Sequence, residues 1–219
     1  MAIELFWGSG SPYSWRALLA LEVKGLGYES RLLEFSKQQH KSPEYLAINP
    51  RGKVPALRED GHVVYESLAI LAYLDARQPE RPLFGATPRE RGEVWRAISE
   101  CESYLVPAAT GVVRPLFFGG AAAKVAEIRE EAASVRGELT ILDATLRESP
   151  WIAGSSLTAA DLAVFPFVQL LLRAGSREEA KPLDLRILPL TERFPSIAGW
   201  VNRVERLPGY ERTYPPHWR

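Results

Sequence analysis

Apolar and polar positions change period along this chain, and each change marks an element. Ile3 to Trp7 is a short apolar run that reads as a strand, and Gly8–Ser11 is the polar turn closing it. From Pro12 the period becomes helical. Leu18, Leu19, Leu21 and Val23 share a broad apolar face, ended by Lys24, Gly25 and Gly27. Tyr28 to Phe35 alternates as a second strand, and a short helical piece follows Pro43. Val54, Ala56 and Leu57 predict a third strand, His62 to Tyr65 a fourth, with an Asp-Gly hairpin turn at Glu59–Gly61 between them. Ser67 to Leu74 is helical again. The order strand, helix, strand, helix, strand, strand, helix describes a small mixed sheet flanked by helices, complete by residue 77.

Residues 78–88, QPERPLFGATP, carry three prolines and a glycine and read as a linker. Beyond it the period is helical almost throughout: Arg89 to about Phe118, Ala122 to Arg147, Thr158 to Ala174 and Pro195 to Arg206. Pro107 and Pro115 should bend or break the first of these. The expected fold class is therefore α/β plus all-α: residues 1–77 as a small α/β domain and 89–219 as a helical bundle.

Composition narrows the function without naming it. The 219 residues balance 27 basic against 27 acidic side chains, so nothing in the totals draws the chain to nucleic acid or to an anionic membrane. Cys101 is the only cysteine, which excludes an internal disulfide framework and a cysteine-rich zinc site. His40, His62 and His217 show no ligand spacing, so no metal is expected. MAIELFWGSG lacks a basic stretch leading into a long apolar one, and no apolar run approaches a membrane span of ~20 residues. The expectation is a cytoplasmic protein.

Four places can carry chemistry. Ser11 before Pro12 is a natural helix N-cap, and the same geometry lets a hydroxyl beside free N–H groups hold an anion such as a thiolate. A thiol shifted by two pKa units needs about 2.7 kcal/mol of preferential binding to its anion. Pro55 interrupts a strand. It is either a trans proline on a sheet edge, or a cis bond that turns the backbone N–H and C=O of Val54 outward, toward an extended peptide. Ser67 is an N-cap for the helix it begins. With Glu66 beside it, that helix end also suits an amino-acid head group, the carboxylate on Ser67 and the ammonium on Glu66. Lys41 and Lys53 are surface cations within reach of a peptide's far carboxylate. In the helical half, Thr158 and Asp161 match a capping box and are read as structural. Cys101 is read as a small buried residue.

Taken in order, SPYSWRALLALEVKGLGYE, HKSPEYLAINPRGKVPAL, YESLAILAYLD and SSLTAADLAVFPF resemble the cytosolic glutathione transferase family over nearly the whole chain. SPYSWR, HKS and GKVP look closest to tau-like members, with zeta-like isomerases near. The resemblance implies a thioredoxin-like domain joined to an all-helical one, usually as a homodimer, with glutathione as cosubstrate. Ser11 would then stabilise the glutathione thiolate. Val54, before a cis Pro55, would pair with the cysteinyl part, Glu66 and Ser67 would hold the γ-glutamyl end, and Lys41 and Lys53 the glycyl carboxylate. By position in such a fold, Tyr13, Tyr104, Ala108, Val112 and Trp218 would line the pocket for a small, largely apolar electrophile. Two departures matter. Zeta-like members usually have Ser-Cys after the first serine, where this chain has Pro12 and Tyr13. Thiol transferases of the omega type have cysteine at the position of Ser11. The alternatives are a glutathione-dependent isomerase, dehalogenase or lyase, or a non-catalytic ligand-binding member of the fold.

Overall fold

The computed structural model describes residues 3–218. They divide by contact into two compact units, one reaching Leu83 and rejoined by the segment from Glu205 onward, the other Phe84–Val204.

The first unit is built on a four-stranded sheet. Its strands are β1 (Ile3–Trp7), β2 (Tyr28–Leu32), β3 (Ala56–Glu59) and β4 (His62–Tyr65), in the spatial order β2-β1-β3-β4. β1 and β2 run parallel with Ile3 opposite Tyr28. β3 runs antiparallel to β1, Ala56 facing Phe6, and β4 antiparallel to β3. β2 stops at Leu32, short of the expected Phe35, because it is an edge strand whose side chains are almost all exposed. The chain leaves the ladder after Leu33 N–H bonds Trp7 O at 2.8 Å, and Phe35 opens a single 3₁₀ turn. The hairpin turns at Asp60 (φ 52°) and Gly61 (φ 83°), the paired positive φ values that Asp-Gly favours.

Helix α1 (Pro12–Lys24) begins at its Ser11 cap and is buried on most sides, Ala17, Leu18, Leu19, Ala20 and Leu21 all lying in the core. α2 (Pro43–Leu46) is one turn capped by Ser42, and α3 (Ser67–Arg77) packs against α1. The far ends of α1 and α3 are tied by Lys24. Its wholly buried ammonium meets Asp75 Oδ1 at 2.6 Å and the carbonyls of Gln78 (2.7 Å) and Arg81 (2.5 Å). A buried lysine is tolerated because every direction of its charge is answered. The proline-rich stretch after α3 is thereby fastened to the first unit up to Leu83, whose N–H also bonds Asp75.

The second unit holds α4 (Pro88–Glu100), α5 (Val106–Phe118), α6 (Val125–Glu148), α7 (Ala159–Gly175), α8 (Leu190–Arg193) and most of α9 (Pro195–Glu205). α4 passes into α5 through a stretch of π-helix, Cys101–Leu105, where the chain was expected to bend or break. A proline clashes with the carbonyl four residues before it, and a widened turn just ahead of Pro107 relieves that clash without ending the helix. Pro115 sits inside α5. At the head of α7, Asp161 is fully buried. Its carboxylate accepts from Thr158 N (2.8 Å), Thr158 Oγ1 (3.0 Å), Ile152 N (3.0 Å) and Trp200 Nε1 (2.9 Å). Burial pushes this carboxyl above the usual aspartate range, against the pull of those donors.

The last helix, α10 (Tyr210–Thr213), packs on α1. The sequence reading carried the helical domain through to residue 219, whereas the segment from Glu205 clusters with the α/β unit. Trp15 Nε1 donates to Thr213 Oγ1 at 2.8 Å, and the Arg212 guanidinium pairs with Glu22. Contacts across so many residues leave no trace in local periodicity.

Candidate functional site

The register of the sheet assembles the site. Since Ala56 faces Phe6, the chain entering β3 runs beside the chain leaving β1, next to the Gly8–Ser11 turn. The Val54–Pro55 bond is cis, not trans. Val54 precedes the first paired residue of β3 and is only half-buried, against Phe6, Tyr45 and Ala56. The loop before it is held by buried Asn49, whose Nδ2 donates to Lys53 O at 2.8 Å, and by Tyr45, whose hydroxyl donates to the same carbonyl at 2.5 Å. Burial pushes the Tyr45 phenol up to about 12, which keeps it protonated as a donor.

Ser11 occupies the N-cap of α1, and its Oγ accepts from Ser14 N–H at 3.2 Å. Capping and anion binding are compatible here. The cap uses one lone pair, and the hydroxyl proton is left to donate elsewhere. Ser14 is wholly buried and holds the preceding turn in its place, its Oγ accepting from Gly8 N–H at 3.2 Å.

At the head of α3, Ser67 is buried and Glu66 is exposed. Glu66 sits at φ 72°, ψ 118°, a conformation that costs a non-glycine residue roughly 1–3 kcal/mol and tends to persist at ligand sites. Its carboxylate lies 3.7 Å from Arg51 Nε, both side chains largely in water. Ser67 Oγ accepts from Arg16 Nη1 at 3.3 Å. Arg16 is wholly buried, and its guanidinium also lies 5.2 Å from the Tyr13 ring centroid. The sequence reading passed over Arg16, Arg51, Ser14 and Asn49. Arg16 had left a signal: Leu19 and Ala20, one turn on, are core positions, and a charge on that face has to meet a partner.

Lys41 and Lys53 are both exposed and gather round His40. Burial, then the charges of Lys41 and Lys53, hold the His40 imidazole below its ordinary value. Lys41 Nζ reaches toward Arg51 O at 3.5 Å, and a Cβ on Gly52 would stand 2.8 Å from that nitrogen. This corner of the first unit is cationic, with no carboxylate among the groups that shift His40.

The residues placed around an electrophile fare unevenly. Tyr13 is 38% exposed and Tyr104 60% exposed, so both offer ring surface. Val112 and Ala108 are not open to solvent: they are 0% and 4% exposed, packed into the core of the helical unit. Position in the family fold suggested a lining face, and these two residues lie on a buried face instead. Trp218 is half-buried, with its ring edge-on to Trp15 at 5.5 Å. Among the described residues no group of three or more His, Cys, Asp or Glu is placed to hold a metal ion, and no helix is long and apolar enough to cross a membrane.

Two family models match this chain: the glutathione S-transferase N-terminal domain over residues 10–77 and the C-terminal domain over residues 105–208. A probable glutathione S-transferase of Oryza sativa, GSTF2, is 32% identical, with 93% of each chain covered. The chain belongs to the glutathione S-transferase family. Glutathione S-transferase A of Pleuronectes platessa is 29% identical over 99% of this chain and 92% of its own. Among solved structures, a glutathione S-transferase from the clam Laternula elliptica superposes with a TM-score of 0.86 at 30% identity, covering 100% of this chain and 94% of that one. The thioredoxin-like sheet followed by helices is thus the glutathione transferase fold, and the enzyme is a glutathione transferase.

Proposed function

We propose that Ser11 activates the thiol of glutathione for attack on small, largely apolar electrophiles. The observation that carries this reading is the Ser11 hydroxyl at the N-terminus of α1, with its cap bond accepted and its proton available. A charge-assisted hydrogen bond and the helix dipole together are of the size needed to shift a thiol by about two units. The peptide lies along the outward-turned backbone of Val54 beside cis Pro55, its γ-glutamyl end at Glu66 and Ser67, its glycyl carboxylate at Lys41 and Lys53. In this reading residues 1–77 bind glutathione, and Tyr13, Trp218 and Tyr104 are the candidate aromatic surfaces for the electrophile. Serine-type, tau- or zeta-like character, a homodimeric assembly and a cytoplasmic location belong to the same proposal.

Ser11→Ala tests it. With chlorodinitrobenzene as electrophile, kcat should fall on the order of tenfold to a hundredfold at neutral pH, with glutathione affinity little changed. The thiolate absorbance of the bound tripeptide should appear only at higher pH. Full turnover by this variant would remove Ser11 from the role.

A further inference from the structure

The C-terminal segment grips the chain on both sides of Ser11. Before it, Ser9 Oγ lies 2.6 Å from His217 Nδ1, a hydrogen bond whose donor depends on the imidazole tautomer. Gly10, between them, stands at φ 80°, and a Cβ there would come within 2.9 Å of His217 Cε1 and 3.5 Å of Trp218 Nε1. The turn is thus packed hard against the last described residues of the chain. After Ser11, Trp15 is 2% exposed and carries the other half of the grip. Its indole N–H donates to Thr213 Oγ1 at 2.8 Å, and its ring meets Tyr214 at 5.8 Å and Trp218 at 5.5 Å, both edge-on. Trp15 N–H also makes the first helical bond to Ser11 O, at 3.0 Å.

We propose that His217 is a positioning residue for Ser11, acting through Ser9 as the tip of a C-terminal strap on the Gly8–Ser11 turn. Other supports of the turn fall on its two ends: the Ser11 N–H bonds Gly8 O at 3.2 Å, Ser14 Oγ accepts from Gly8 N–H, and the Phe35 ring lies against Gly8, while Ser9 and Gly10 between them meet the tail. A hydroxyl that must meet a sulfur anion within hydrogen-bond distance loses effectiveness when its backbone wanders by an ångström. His217 bonds Ser9 and through it sets where Ser11 stands. Trp218 supplies weight to the same contact by meeting Trp15 and Tyr214 edge-on. The kinetic part of this proposal rests on the assignment of Ser11 as the thiolate-stabilising residue.

The test uses the full chain with His217→Ala, His217→Asn, Ser9→Ala and the Ser9→Ala/His217→Ala double variant. Amide hydrogen exchange of residues 8–11 is read in the free protein, and chlorodinitrobenzene kinetics with glutathione are read beside it. His217→Ala should speed exchange in the turn and lower kcat roughly three- to tenfold with little change in KM for glutathione. The bound thiolate should appear at higher pH. His217→Asn keeps a polar atom near the position of Nδ1 and should restore most of the loss. Ser9→Ala should match His217→Ala, and the double variant should be no worse than either, since both remove one contact. Unchanged exchange in the turn overturns the strap. Faster exchange with unaltered kcat and thiolate titration overturns the positioning role, and so does equal damage from His217→Ala and His217→Asn. A wild-type protein showing no glutathione thiolate would instead overturn the assignment of Ser11, while turn exchange would still report whether the tail holds it.

Discussion

Ser11 caps α1, whereas Ser67, expected as a cap, is the first helical residue of α3, with Glu66 at its N-cap and no side-chain cap bond. Both serines are candidate ligand groups with the same economy of donors and acceptors. Ser11 Oγ accepts from Ser14 N–H, and Ser67 Oγ accepts from the Arg16 guanidinium, so each hydroxyl retains a proton to give to an anion. Ser67→Ala should therefore weaken glutathione binding about tenfold, the scale of one charge-assisted hydrogen bond, and calorimetry showing unchanged affinity would take the γ-glutamyl end away from α3. His40 offers an independent probe of the opposite end. Its imidazole is held low by burial first and by Lys41 and Lys53 second. A glycyl carboxylate arriving beside those lysines offsets their charge and stabilises the imidazolium, so the His40 titration followed by NMR should move upward when glutathione binds. A titration that stays in place would separate Lys41 and Lys53 from the glycyl group.

At the scale of elements, the sheet is joined to α3 by one buried carboxylate. Glu59, the last residue of β3, is 7% exposed, accepts from Tyr73 Oη at 2.7 Å and pairs with Arg77 Nε at 2.8 Å. Burial raises its carboxyl, the Tyr73 and Arg77 contacts lower it, and the net direction is below the ordinary glutamate value. A carboxyl depressed in the folded state binds fewer protons there than in the unfolded chain, so its stabilisation is present above the unfolded pKa. It is lost as the pH falls through the folded pKa. Denaturant unfolding should show wild type more stable than Glu59→Gln at neutral pH, with the gap closing below about pH 4. A gap that persists at acid pH would mean that shape, and not charge, is what Glu59 contributes. The π-helical turn before Pro107 belongs to this scale as well. A periodic apolar pattern locates the helix, but how a backbone absorbs a proline depends on what is packed around it.

For the whole molecule, α4 and α6 leave Trp95 44% and Ile141 60% exposed on the helical unit. Singly exposed apolar side chains are ordinary on a 24.5 kDa chain and do not by themselves call for a partner, so the homodimer proposed above is tested by mass. Sedimentation equilibrium should give twice the mass of the chain. A monomer at micromolar concentration would remove the homodimer from the proposal.

Local periodicity and helix-end chemistry were legible without coordinates: the strand and helix order of the α/β unit, the Asp-Gly turn, the caps at Ser11 and Thr158, and the special place of Pro55. They are legible because propensity, capping and turn geometry act over three or four residues. Whether Pro55 was cis, where Arg16 and Glu59 found their partners, and that Ala108 and Val112 face the core were decided only in three dimensions. The C-terminal segment makes the point most sharply. Ser9 and His217 stand 208 positions apart in sequence, and only packing of the tail on α1 brings them to 2.6 Å. Short-range rules write the elements, while a contact between distant residues is selected by the burial and pairing of everything that folds between them.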